Sequence, residues 1–168
     1  MKKILPLILA VVVILIVVLL WPRGEFKTYE NSRYNFSVDY PASWTLGEAP
    51  TNNDGREFIS QDESVTCRAY GFANALTNEQ GEPQSLEEFV DWLTADTRVG
   101  EGLYTNVIER TNTTLDGQNA LYLLMEQDMD LVEATYALGP EEGRGLVCYY
   151  NDKEEWKKYK NVFEKMKN

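Results

Sequence analysis

Histidine is absent from all 168 residues, and that absence removes a large share of enzymatic chemistry. Without an imidazole there is no Ser-His-Asp or Cys-His nucleophile and no histidine-bearing zinc site. Cysteine is nearly as scarce. Cys67 and Cys148 are the only two, too few for a zinc site and too far apart for a C-x-x-C redox pair. Basic charge is short as well: 16 Lys and Arg stand against 27 Asp and Glu, for a net charge of −11. The deficit is concentrated, because residues 24–151 hold 23 acids and 7 bases whereas residues 152–168 hold 4 acids and 6 lysines. So acidic a body disfavours nucleic acid, whose binding needs Lys and Arg to displace counterions, and offers no basic surface to anionic lipid headgroups. Pro-rich and Gly/Ser-rich linkers, low-complexity stretches and internal repeats are all missing, which leaves one domain of ordinary size after the N-terminal segment.

No cofactor or metal is implied by what remains. Asp128-Met129-Asp130 and Asn53-Asp54-Gly55 lack the regular acidic spacing and terminal Glu of a calcium loop and read as turns. Carboxylate chemistry survives the exclusions, for example an acid and base pair acting on a glycan. Its signal is generic, since 27 acids place some pair close together by chance. A carboxylate-based hydrolase is therefore the remote reading.

What is present begins with an uncharged apolar run over residues 4–21, set between Lys2-Lys3 and Pro22-Arg23-Gly24. As a helix it reaches about 27 Å, close to the roughly 30 Å hydrocarbon core of a bilayer. It exceeds the about 7 to 15 apolar residues of a secretory signal, and Val18-Leu19-Leu20-Trp21-Pro22 offers no small-x-small cleavage site. No cysteine follows it to carry a lipid. A type IV pilin start is excluded by the lack of a processing glycine before the run and of a glutamate within it. Pro6 falls in the first turn, where its missing N–H costs little, and Trp21 suits the far interface. The lysines before the run place the N-terminus in the cytoplasm. The expectation is a single-pass signal-anchor transmembrane helix with short flanks over residues 1–24, holding the lipid bilayer through residues 4–21. A globular domain over residues 25–168 then lies outside the cytoplasm, within about 25 Å of the cell membrane.

The periodicity of the domain is mostly that of strands. Tyr34, Phe36, Val38 and Tyr40 alternate with polar residues, and Pro41 ends the ladder. Further strands are predicted at about 26–30, 56–60, 64–72, 103–110, 119–127, 131–138 and 144–150. Their short connections favour antiparallel pairing. Ser85 and Glu88 form a capping box ahead of the stripe Leu86, Phe89, Val90 and Leu93. A second helix, Asp152 to about Lys167, sets Trp156, Tyr159, Val162, Phe163 and Met166 opposite Lys157, Lys158, Lys160, Lys165 and Lys167. Core packing of that apolar stripe is favoured over a membrane-surface role. Cys67 and Cys148 both fall in strands; they are either bridged, on the side of a membrane where disulfides persist, or two separate buried thiols.

The stretch Tyr34-Asn35-Phe36-Ser37-Val38-Asp39-Tyr40-Pro41-Ala42-Ser43-Trp44 resembles the opening signature of the PsbP-like superfamily, in its bacterial exported or membrane-anchored branch. There a Phe-Ser-x-x-Tyr-Pro strand end is followed by a turn and a core tryptophan. The Ser85 helix, the strand after Gly117, the strand Gly145 to Tyr150 and an aromatic terminal helix follow in the family's order. The resemblance implies an α+β fold, an antiparallel β-sheet flanked by helices in an α/β/α sandwich, with Phe36, Tyr40, Pro41 and Trp44 as structural residues. It also implies binding to larger assemblies, as members do with photosystem II or a small GTPase. The expected anchor departs from the plant photosystem members, so no photosynthetic role is carried over.

The function expected is a membrane-anchored, extracytoplasmic, non-catalytic interaction module of a cell-envelope assembly, with an envelope protein as partner and no nucleic acid. The alternative is a glycan or cell-wall binding domain, with Tyr104, Tyr149 and Tyr150 as candidate exposed rings.

Overall fold

The computed structural model describes residues 25–73, 77, 84–94, 106–127, 130–139 and 142–167. Among them no helix is long and apolar enough to cross a membrane, and the expected anchor over residues 1–24 lies outside them. In chain order the elements are β1 Phe26–Asn31, β2 Phe36–Pro41, β3 Thr45–Leu46, β4 Gly55–Ile59, β5 Val65–Ala73, α1 Leu86–Thr94, β6 Asn106–Leu115, β7 Gln118–Gln127, β8 Asp130–Leu138, β9 Glu142–Tyr150 and α2 Lys153–Met166. β1 and β2 pair with each other in a two-stranded sheet. The other strands form a seven-stranded sheet in the order β3-β4-β5-β9-β8-β7-β6, and every pairing is antiparallel.

Turn chemistry explains the hairpins. Leu115 pairs with Gln118 across Asp116-Gly117, whose φ angles of 49° and 72° are the two left-handed values of a type I′ turn. In the β1–β2 turn the buried Asn31 accepts the backbone N–H groups of Arg33 and Tyr34 through Oδ1, at 3.0 and 3.1 Å, and Asn35 takes up a φ of 46°.

Both faces of the central strands are buried. β7 sends Ala120, Tyr122 and Leu124 to one core and Leu121, Leu123 and Met125 to the other. The first core is closed by β1–β2 and by Phe163 and Met166 of α2; the second is closed by Phe89 and Val90 of α1. The helices therefore lie on opposite faces of the sheet. Caps fix where they begin. Ser85 Oγ accepts the Glu88 N–H at 3.2 Å while Glu88 Oε2 accepts the Ser85 N–H at 2.7 Å, and Asp152 Oδ1 accepts the N–H groups of Glu154 and Glu155.

Phe36, Tyr40 and Trp44 are buried. The Trp44 N–H bonds to the Pro41 carbonyl at 2.9 Å, and its ring meets Tyr159 of α2 edge-on at 5.6 Å. Pro41 thus turns the chain out of the ladder just where the tryptophan fills the space beneath α2.

Three details differ from the sequence reading. β6 runs on to Leu115 through Thr111-Asn112-Thr113-Thr114, a polar stretch tolerated because β6 is an edge strand. β3 was not foreseen; at two residues it carries no periodicity. Lys167, expected on the solvent side of α2, is buried: its ammonium lies 5.4 Å from the centre of the Tyr122 ring, 3.3 Å from Thr113 Oγ1 and 2.9 Å from Glu164 Oε1.

Gly55 permits the closest strand contact. A Cβ there would lie 2.0 Å from the Ala69 carbonyl oxygen and 2.7 Å from Tyr70 Cα, both backbone atoms that cannot swing away. Gly55→Ala is expected to force β4 from β5 and cost about 1–3 kcal/mol, read as a lower urea midpoint at unchanged m-value. An unshifted midpoint would show that the strands part freely.

Candidate functional site

One row of side chains crosses the sheet on the α2 side. In register from β4 to β7 it reads Phe58, Cys67, Cys148, Glu133 and Leu124. Cys67 and Cys148 are joined by a disulfide between directly opposed residues of β5 and β9, at a sequence separation of 81. Glu133, next in the row, is 2% exposed. Its Oε1 accepts the Tyr122 hydroxyl at 2.8 Å and its Oε2 the Tyr150 hydroxyl at 2.7 Å. The Trp156 indole N–H, buried and without a hydrogen-bond partner of normal geometry, approaches the same carboxyl from α2. Burial pushes the Glu133 carboxyl above its ordinary range, against the donors, which favour its charged form. Burial, reinforced by Glu133, likewise raises the Tyr122 and Tyr150 hydroxyls.

A raised carboxyl is what a general acid needs, but Glu133 is enclosed by the sheet and α2 rather than lining a cleft. A cleft of about 620 Å³, open to solvent, is lined by Glu30, Asn31, Ser32, Asn35, Phe36, Ser37 and Asp116. Asp116 is held there by Arg144 at 2.8 Å. Among the described residues no three Cys, Asp or Glu side chains are grouped to hold a metal ion.

The opposite face of the sheet presents different chemistry. α1 packs over β7 and β8, reaches β5 through Phe72, which stacks on Phe89 at 5.1 Å, and shares its core with the buried Val147 of β9. Tyr149 lies on this face, 39% exposed, with Thr66 of β5 and Val132 of β8 as its cross-strand neighbours. Arg68, two residues along β5 from Thr66, stacks its guanidinium 5.3 Å from the centre of the Tyr70 ring and grips both oxygens of Asp54 at 3.0 and 3.1 Å. Tyrosine and arginine are among the residue types enriched at the energetic centres of protein interfaces. Of the three candidate exposed tyrosines, Tyr149 is exposed; Tyr150 is instead buried against Glu133, because strand alternation turns neighbours to opposite faces. Tyr104 lies outside the described residues.

Sequence reasoning missed Glu133. The available signal was a lone acid within Leu131-Val132-Glu133-Ala134-Thr135-Tyr136-Ala137, every residue of which is buried.

No protein-family model matches the chain, and no curated protein matches it in sequence. In three dimensions it is similar to the solution structure of cyanobacterial PsbP (CyanoP) from Synechocystis sp. PCC 6803, with a TM-score of 0.60 over 85% of this chain and 89% of that one. The fold is PsbP-like. At 10% identity the likeness is one of architecture. A crystal structure from Bacteroides thetaiotaomicron VPI-5482 aligns at a TM-score of 0.47 and 11% identity, over 83% of this chain and 47% of that one. In this PsbP-like domain the disulfide and Glu133 lie on the α2 face, and the Tyr149–Arg68 surface lies on the α1 face.

Proposed function

We propose that the chain is a membrane-anchored, extracytoplasmic, non-catalytic interaction module of a cell-envelope assembly, and that it docks a basic protein surface on the sheet face around Tyr149 and Arg68. The observation that carries this reading is that face: a sheet beside α1 that presents Tyr149, 39% exposed, and the similarly exposed Arg68. Charge supplies the sign of the partner, since residues 24–151 hold 23 acids against 7 bases and steer cationic surfaces inward. The anchor is supported by residues 4–21 and their flanking charges. The non-catalytic reading is supported by the missing histidine and by a raised carboxyl that sits away from any described cleft.

The test is crosslinking of the tagged full-length chain in its native membrane, with an anchor-only control and the Tyr149→Ala variant. A basic envelope protein is expected in near-stoichiometric amount with the wild type. Tyr149→Ala is expected to weaken it about 30-fold, the loss typical of a central interface residue, at unchanged melting temperature. Equal recovery with Tyr149→Ala would sink this surface. Background recovery together with heat of binding to cell-wall polysaccharide would replace the reading by glycan recognition.

A further inference from the structure

Glu133 has no ion-pair partner among the described residues, although it lies in a sealed layer of the protein. Its neighbours along the row are the uncharged disulfide and Leu124. From β7 and β9 it meets the tyrosine hydroxyls, and from α2 the Trp156 indole. Of the charges around it, Glu164 of α2 repels it, Glu109 of β6 acts on Tyr122, Lys167 is engaged by Glu164, and the Lys160 ammonium of α2 lies 5.5 Å from the centre of the Trp156 ring. An ionised carboxylate here accepts from two tyrosine hydroxyls, with the Trp156 N–H close by, and has no ion-pair partner among the described residues. Protonation removes the charge and leaves the hydrogen bonds in place, because a carboxylic acid and a tyrosine can each donate and accept.

The element that can admit water is α2. β7, β8 and β9 are laddered on both sides, and β9 is also bridged to β5, whereas α2 is held to the sheet by side chains except at its C-cap, where the Lys167 carbonyl accepts the Asp116 N–H at 2.8 Å. Its first turns cover Glu133 with Trp156. They are tied at the surface by Lys158, which reaches Asp62 Oδ2 at 2.9 Å, and by Glu155, which accepts the Ser64 hydroxyl at 2.9 Å. We propose that Glu133 makes the seating of α2 proton-dependent: α2 stays docked while the carboxyl is protonated and lifts preferentially when it ionises.

The sign follows from the direction of the shift. Burial raises Glu133, so the docked state binds a proton that the opened state releases, and docking weakens as pH rises through the folded-state value. The surface tie runs the other way and outlasts this window. Lys158, with Ser60 and Ser64, holds Asp62 well below the usual carboxylate range, so that tie loosens only in strong acid.

Hydrogen exchange of the full-length chain in detergent micelles, corrected for intrinsic rates between pH 5 and pH 8, reads the device directly. Opening of residues 156–163 is expected to rise about tenfold for each unit by which the Glu133 pKa is raised, with β7–β9 unchanged. In Glu133→Gln the rise should vanish. A pH-independent α2, the same rise in Glu133→Gln, or equal loss of protection in β7–β9 would each overturn the proposal. Should Glu133→Gln fail to fold, infrared titration of the wild type decides instead. The protonated-carboxyl band must be half lost at the pH where the rise in α2 opening levels off, and that pH must move up in Tyr150→Phe, which removes a donor to the charged form. A plateau reached at a different pH from the band's loss would overturn it.

Discussion

Replacing Cys67 and Cys148 together by alanine is expected to lower the unfolding free energy by about 4.5 kcal/mol, the chain-entropy value for a closed loop of about 80 residues. The bridge spans 81 positions and joins β5 directly to β9. That junction is where β3-β4-β5, early in the chain, meets β9-β8-β7-β6, late in the chain. It is the pairing whose ends are furthest apart in sequence within the larger sheet, so its closure costs the unfolded chain most. A domain of this size has about 5–15 kcal/mol in total. The variant should therefore melt many degrees lower, and reductant should reproduce the effect in the wild type once the protein opens far enough to expose two buried sulfurs. Guanidinium unfolding with and without reductant measures it. Coincident midpoints would mean that β5 and β9 are already held together in the denatured chain.

Phe58→Ala is expected to cost about 3–5 kcal/mol, the range for deleting a fully buried aromatic ring. Phe58 is 0% exposed and starts the row that continues through Cys67 and Cys148. Its ring lies 4.9 Å from that of Tyr40 and 5.9 Å from that of Tyr29, so it is the aromatic joint between the β1–β2 hairpin and the larger sheet. The loss should fall unevenly, and amide protection in β1–β2 should drop more than in β7–β8. Leu46, its cross-strand partner on β3 and 37% exposed, is the control, with Leu46→Ala within about 0.5 kcal/mol of wild type. Equal protection loss throughout would show that the hairpin is held by something other than Phe58. Because Phe58 and Cys67 are direct neighbours, combining this change with removal of the bridge should not be additive.

Both effects depend on residues that the sequence presents as ordinary. Phe58 stands in a short predicted strand and Cys67 in a longer one, yet their adjacency exists only in the β4–β5 register. The two cysteines were compatible with a bridge or with two thiols, because spacing along a chain says nothing of which strands become neighbours. Tyr149 and Tyr150 were equivalent as candidate exposed rings until strand alternation sent one outward and the other to Glu133.

By itself the sequence determined the local matters: the strand alternation from Tyr34 to Tyr40 and its end at Pro41, the Ser85 and Asp152 helix starts, and the exclusion of histidine chemistry. These rest on interactions between residues a few positions apart, or on composition, and both can be read along one chain. Tertiary structure decided the strand order, the place of the disulfide, the burial of Lys167, the enclosure of Glu133 and the exposure of Tyr149. Each of those depends on which surfaces distant segments bury together, and a lone glutamate or lysine has a different environment in every packing its own neighbours allow.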